Sequence, residues 1–128
     1  MSPAEPLRVA YLTAGAAGIG RAIAEAFQRE GASVFVCDVD AAALARLAAD
    51  QPGIGQCVAD VAHRAQVAEF FDRALAALGG LDCLVNNVGY AVQTDFQTLT
   101  DADWQSMWNL NVMSYERAIQ AVLPGMRE

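Results

Sequence analysis

Short apolar runs alternate along this chain with longer alanine-rich stretches whose apolar residues recur every three or four positions. LRVAYLT (7–13) reads as a strand, and GIGRAIAEAFQREG (18–31) places Ile19, Ile23 and Phe27 on one helical face before a closing glycine. SVFVCDVD (33–40) predicts a second strand, after which Asp40 can cap the helix of AAALARLAAD, with Pro52 and Gly53 beyond its end. GIGQCVAD (53–60) reads as a weaker third strand. AQVAEFFDRALAALGG then carries Val67, Phe70, Phe71, Ala74 and Leu78 at helical spacing, and LDCLVN (81–86) makes a fourth strand.

The last stretch opens on a box-like signal, Thr100 with Asp103 three residues on. Trp104, Met107, Trp108, Asn111, Tyr115, Ala118, Ile119 and Val122 form one broad stripe, and Pro124 with Gly125 is expected to end the helix. Strands alternating with helices predict an α/β fold of βαβ units around a mostly parallel sheet. With 128 residues, 55% of them hydrophobic, and no repeat or linker, the expectation is a single domain over residues 1–128.

Charge narrows the function. A net charge of -7 repels phosphate backbones and argues against nucleic-acid binding, so any nucleotide partner is expected to be small. Cys37, Cys57 and Cys83 lie in or beside apolar runs without ligand-type spacing and read as reduced core thiols. MSPAEPLR lacks the features of a leader, no apolar stretch approaches a membrane span of about 18 residues, and basic clusters for a membrane surface are missing. The expected location is cytoplasmic, with no membrane and no metal.

Chemistry first suggests itself at TAGAAGIG (13–20), where Ala14, Gly15, Ala16, Ala17, Gly18 and Gly20 follow a strand and open a helix. Small residues there let backbone N–H groups and the positive end of a helix approach a pyrophosphate. The glycines fall at 15, 18 and 20, which is not the literal G-x-G-x-x-G, so spacing alone leaves a plain turn open. Asp38 ends the second strand, 18 residues after Gly20, where an acidic side chain can accept bonds from an adenosine ribose diol. A carboxylate there repels a 2′-phosphate, and neither Ala17 nor Val39 supplies a compensating charge, so NAD is favoured over NADP. The alternative for Asp38 is a solvated strand end or a cap.

With these residues assembled, the sequence resembles the N-terminal part of a short-chain dehydrogenase/reductase. The family's T-G-x-x-x-G-x-G loop is matched by Thr13, Gly18, Ile19 and Gly20, with Ala14 in place of its first glycine. Asp60 and Val61, in VADV, stand where the family's D-V pair contacts adenine. NNVG (86–89) resembles the family's N-N-A-G, which by resemblance sets Asn87 beside the nicotinamide ribose, with Val88 and Gly89 following. Asn111, seven residues after Trp104, matches the family's catalytic asparagine. The resemblance covers essentially the whole chain. It implies a doubly wound, Rossmann-like parallel sheet with helices on both faces, strand order 3-2-1-4, and NAD at the switch point between strands one and four.

The resemblance also implies a serine and a Y-x-x-x-K pair, in which a lysine lowers the pKa of a tyrosine acid/base. This chain holds no lysine; its eight cationic side chains are all arginines. Tyr11, Tyr90 and Tyr115 are followed four residues on by Gly15, Thr94 and Ile119. The expected reading is a sequence truncated before the fifth strand and its reactive residues, inactive by itself. Strand four, left as an edge, predicts a homo-oligomer or a poorly stable chain.

Other residues take plainer readings. Asn86 ties strand backbones through its amide. Asn111 is either a positioned site residue or a bond to a neighbouring carbonyl. Asp60 alone would be a turn carboxylate, His63 a polar turn residue, and Trp104 with Trp108 core or interface packing. The favoured function is the NAD-binding portion of an oxidoreductase that moves hydride between NAD and a secondary alcohol or ketone. The alternatives are an inactive nucleotide-binding or assembly module and, against the NNVG and Asn111 pairing, a methyltransferase.

Overall fold

The structure is a computed structural model that describes residues 5–12 and 15–128. Four strands form one parallel sheet: β1 (Arg8–Leu12), β2 (Ser33–Asp38), β3 (Gly55–Val58) and β4 (Cys83–Asn86). Their order is β3-β2-β1-β4, the doubly wound order expected. The register pairs Ala10 with both Phe35 and Leu84, so β1 lies at the centre.

Alternation along the strands sorts the core into two layers, because successive side chains leave a strand on opposite faces. Val9, Val34 and Val36 pack with Ala24, Ala43, Leu44 and Leu47 of α1 (Gly18–Arg29) and α2 (Ala41–Asp50). Ala10, Phe35 and Cys37 face the other way, onto Val67, Phe70, Phe71 and Ala74 of α3 (Arg64–Leu78) and Ala118 and Val122 of α5 (Ser114–Met126). Phe35, Phe70 and Phe71 form a tilted and edge-on ring cluster at 5.7 and 4.9 Å. Cys37 and Cys57 are buried and Cys83 half-buried, and burial pushes Cys57 and Cys83 above the usual thiol range.

Local signals account for the helix ends. Asp40 accepts from the Ala43 N–H at 3.0 Å. Gly79 closes α3 with φ 75°, a left-handed conformation that suits glycine. Thr100 and Asp103 form a reciprocal capping box at 2.9 and 3.2 Å before α4 (Asp101–Trp108).

Three expectations are corrected. The final stretch is not one regular helix: a π-helical turn over Asn109–Met113 separates α4 from α5. Its looser winding shifts the phase of everything upstream relative to α5. The single stripe therefore splits, with Ala118 and Val122 buried while Trp104 and Trp108 stay 50% and 60% exposed; within α5 itself, Ile119 turns away from the sheet and is 46% exposed. Trp104 instead meets Phe96 edge-on at 6.1 Å.

Pro124 does not end the helix, which runs through it to Met126. A proline removes only its own N–H from the ladder. Arg127 still donates back to Leu123 at 3.1 Å, and Gln120, whose carbonyl the missing N–H would have met, is an exposed residue. Ile19, in turn, is 75% exposed, while Ile23 and Phe27 pack on the core as expected. It lies in the first turn of α1, next to the glycine loop and ahead of the turns that lie on the sheet.

Among the described residues, no helix is long and apolar enough to cross a membrane. None of their side chains form a group of three or more histidines, cysteines or carboxylates able to hold a metal ion.

Candidate functional site

All four strands run the same way, so the segments that follow them meet at one edge of the sheet. A cleft of about 450 Å³ opens there, lined by Asp38 and Val39 after β2, Ala59 to Ala62 after β3, Val88 and Tyr90 after β4, and Ser106, Asn109 and Leu110 from the helical layer.

The glycine loop joins β1 to α1 beside this cleft. Thr13 and Ala14 lie outside the described residues. Gly15 packs so tightly on β2 that an added Cβ would sit 2.6 Å from the Val36 Cβ, and its N–H donates to the Cys37 carbonyl at 3.2 Å. Ala17 is extended and gives no side-chain cap to α1, and no acidic residue follows in the first turn. Gly18 enters the helix with φ 58°, which a side chain would strain. Ala17, Gly18 and Ile19 are exposed and Gly20 is buried. The result is a helix start whose N–H groups meet no capping side chain among the described residues, with open space at Gly18.

Asp38 is nearly buried, at 9% exposure, and its carboxylate grips main chain on both sides. Oδ2 accepts from the Ala16 N–H at 3.3 Å and Oδ1 from the Asp40 N–H at 3.0 Å. A carboxylate has about four acceptor sites, so these two bonds leave capacity on a group that still lines the cleft. Val39 beside it is 64% exposed.

Asp60 closes its own turn, accepting from the Ala62 N–H at 2.9 Å, while its N–H donates to Gln66 Oε1 at 2.7 Å. His63 Nε2 stands 3.5 Å from the other Asp60 oxygen. Val61 is buried at 2%.

The NNVG segment leaves β4 and is fastened by two side chains. The Asn111 amide makes a two-point pair with the Tyr90 main chain: Nδ2 donates to the carbonyl at 2.8 Å and Oδ1 accepts from the N–H at 2.9 Å. The bond to a neighbouring carbonyl, one of the two readings of Asn111, is thus present. A Cβ at Gly89 would meet Asn111 Oδ1 at 3.5 Å, an ordinary contact. The Tyr115 hydroxyl donates to the Val88 carbonyl, and burial raises its pKa, keeping it a donor. The Tyr90 hydroxyl and Ser106 Oγ share a short hydrogen bond across the cleft. The side-chain oxygen of Asn86 is buried and meets no donor among the described residues.

Of the residues singled out by sequence, Asp38, Val39, Asp60, Val61 and Val88 share the cleft lining. Gly15, Ala17, Gly18, Ile19 and Gly20 lie on the glycine loop and the first turn of α1, Asn87 and Gly89 adjoin Val88 in the chain, and Asn111 reaches the segment through the Tyr90 main chain. Sequence reasoning missed Ala59, Ala62, Tyr90, Ser106, Asn109 and Leu110. The first three adjoin recognised motifs and could have been reached by extending them. The others fall at three- and four-residue spacing on one helical face, a signal hidden by the tryptophans on the same stretch.

The family model described as short chain dehydrogenase matches residues 8–128. A rat protein, dehydrogenase/reductase SDR family member 6, is 39% identical over 119 residues, which is 93% of this chain and 46% of that protein. A short-chain dehydrogenase/reductase from Burkholderia phymatum, solved in complex with NAD, superposes with a TM-score of 0.85 at 32% identity, covering 94% of this chain and 44% of that one. A blue fluorescent protein from a metagenomic library, solved with NADPH, gives 0.82 at 32%, covering 94% and 52%. The chain therefore spans about half the length of the proteins it matches. Glycine loop, strand order and a matching family profile over nearly every residue agree: this chain belongs to the short-chain dehydrogenase family.

Proposed function

We propose that these 128 residues are the dinucleotide-binding part of an oxidoreductase that moves hydride between NAD and a secondary alcohol or ketone. The observation that carries this reading is the convergence of Asp38, Asp60, Val61 and Val88 on one cleft beside an uncapped helix start. Bound there, the nicotinamide would supply the hydride acceptor. The α1 N–H groups would hold the pyrophosphate, Asp38 the adenosine ribose, and Asp60 with Val61 the adenine; Asn87 would face the nicotinamide ribose. The described cleft lining carries two carboxylates and no cationic side chain. That balance disfavours a 2′-phosphate and supports NAD over NADP.

Proton transfer is a different matter. The chain has no lysine, so the usual means of lowering a tyrosine pKa is not among its residues. The tyrosine best placed near Val88, Tyr115, is shifted upward instead. Acid/base chemistry in the active protein would come from residues beyond these. A second reading, an inactive nucleotide-binding or assembly module, is favoured by one specific observation: the Asn111 amide is already spent on the Tyr90 main chain.

Calorimetric titration with NAD, NADP and S-adenosylmethionine tests the dinucleotide reading. NAD is expected to bind most tightly, with no NADH formed from an alcohol by the isolated chain. Tighter binding of S-adenosylmethionine would overturn the family-based function, and real turnover would overturn the account of the missing acid/base group.

A further inference from the structure

The segment after β3 presents Asp60 and Val61 to the cleft. It is anchored by the buried Ala59 and Val61 side chains and by the Ala59 N–H, which donates to the Asp38 carbonyl at 3.1 Å. Its outer turn is closed locally by the Asp60 and Gln66 bonds and by the His63 N–H, which donates to the Asp60 carbonyl at 3.1 Å. One side-chain bond reaches it across 47 residues: the Asn109 amide donates to the Ala62 carbonyl at 3.0 Å. Arg117 Nη1 donates to the same carbonyl over a longer 3.4 Å. Asn109 is part-buried, opens the π turn and lines the cleft itself. Two positions on, in the same turn, Asn111 holds the main chain of Tyr90. One π turn therefore grips both loops that face each other across the cleft.

We infer that Asn109 is a positioning residue for adenine recognition: its amide fixes the Ala62 carbonyl and, through it, where Asp60 and Val61 stand. The inference rests on reading the cleft as a dinucleotide site. Asp60 is linked to Ala62 by the bond between them, so losing the Asn109 donor, which leaves the carbonyl only the longer Arg117 bond, loosens the outer part of the turn where Asp60 stands. Tight recognition of a base edge tolerates little such movement.

The test compares NAD with nicotinamide hypoxanthine dinucleotide, which differs only at the base, in the wild-type chain and in Asn109→Asp and Asn109→Ala. Aspartate keeps the shape and removes the donor; alanine removes both. The expected result is that the wild type prefers NAD, that each variant binds NAD about five- to tenfold more weakly, as for one lost hydrogen bond, and that the preference over the hypoxanthine analogue falls toward one. A lowered folded fraction would not change that ratio.

Variants that keep the wild-type ratio would overturn the inference while leaving the dinucleotide reading intact, as would a wild type that binds both dinucleotides equally. A wild type that binds neither would remove the dinucleotide reading itself, and the inference with it. Should both variants unfold, exchange of the Asn109 side-chain amide protons in the wild type decides. Slowing on addition of AMP supports the role, and unchanged exchange in AMP-saturated protein refutes it.

Discussion

Asp38→Ala probes the residue at which fold and binding meet. In the free chain its carboxylate accepts two main-chain N–H groups, from Ala16 at 3.3 Å and from Asp40 at 3.0 Å. Alanine leaves both without that acceptor. The exposed Asp40 segment can turn to water, whereas Ala16, at 2% exposure, cannot. A hydrogen bond to a charged group contributes about 1.5–3 kcal/mol, and the longer of these counts at the low end. The expected loss in the absence of nucleotide is therefore about 2–3 kcal/mol, less than the sum of two full bonds. Asp38→Asn, which keeps one acceptor but turns an NH₂ toward one of the donors, should fall between.

Urea unfolding followed by circular dichroism at one protein concentration reads this as a lower midpoint at unchanged slope. Adding NAD at a hundredfold excess over its Kd should then stabilise the wild type by about 2.7 kcal/mol and the variant by much less. A wild-type midpoint in nucleotide-free Asp38→Ala would refute the buried double acceptor. An NAD-dependent gain equal to that of the wild type would refute the ribose contact while sparing the structural role.

Further outcomes follow from other contacts. Gly15→Ala forces a Cβ to 2.6 Å from the Val36 Cβ, and overpacking of that kind should cost about 1–3 kcal/mol in the same urea assay. Arg8 holds the Asp82 carboxyl down to about 2 through a hydrogen-bonded pair at 2.9 Å. A folded-state pKa below the unfolded one adds stability that is full above the ordinary carboxylate range and is lost as pH falls through it toward 2. Asp82→Asn should therefore flatten the acid limb between about pH 4 and pH 2, and an unchanged limb by acid titration would contradict the pairing. Among the described residues β4 pairs on one side only, with β1. Such an edge should drive concentration-dependent association, and a monodisperse, cooperatively melting monomer in light scattering and calorimetry would count against it.

Much of this molecule was legible along the chain. Periodicity placed four strands and the main helices, because burial on both faces of a parallel sheet demands short apolar runs, and helices on that sheet demand apolar residues at three- and four-residue intervals. The Asp40 cap and the Thr100–Asp103 box were equally readable, since each acts within one turn. Where the pattern misled, a nonlocal fact intervened. No periodicity announces a π turn, and without it Trp104 and Trp108 counted as one stripe with Ala118 and Val122.

The cleft divides along the same line. Asp38, Asp60 and Val88 stood out because each ends a strand or lies in a short motif, so sequence alone named them. Sequence could not show that the Asp38 carboxylate clasps Ala16, that Asn111 is occupied by Tyr90, or that Asn109 reaches Ala62. Those bonds join residues 21 to 47 positions apart, and hydrogen-bond geometry of a few tenths of an ångström is set only when packed layers bring distant segments together. Local chemistry chose the parts, and the parallel sheet, by gathering four strand ends at one edge, decided which of them meet.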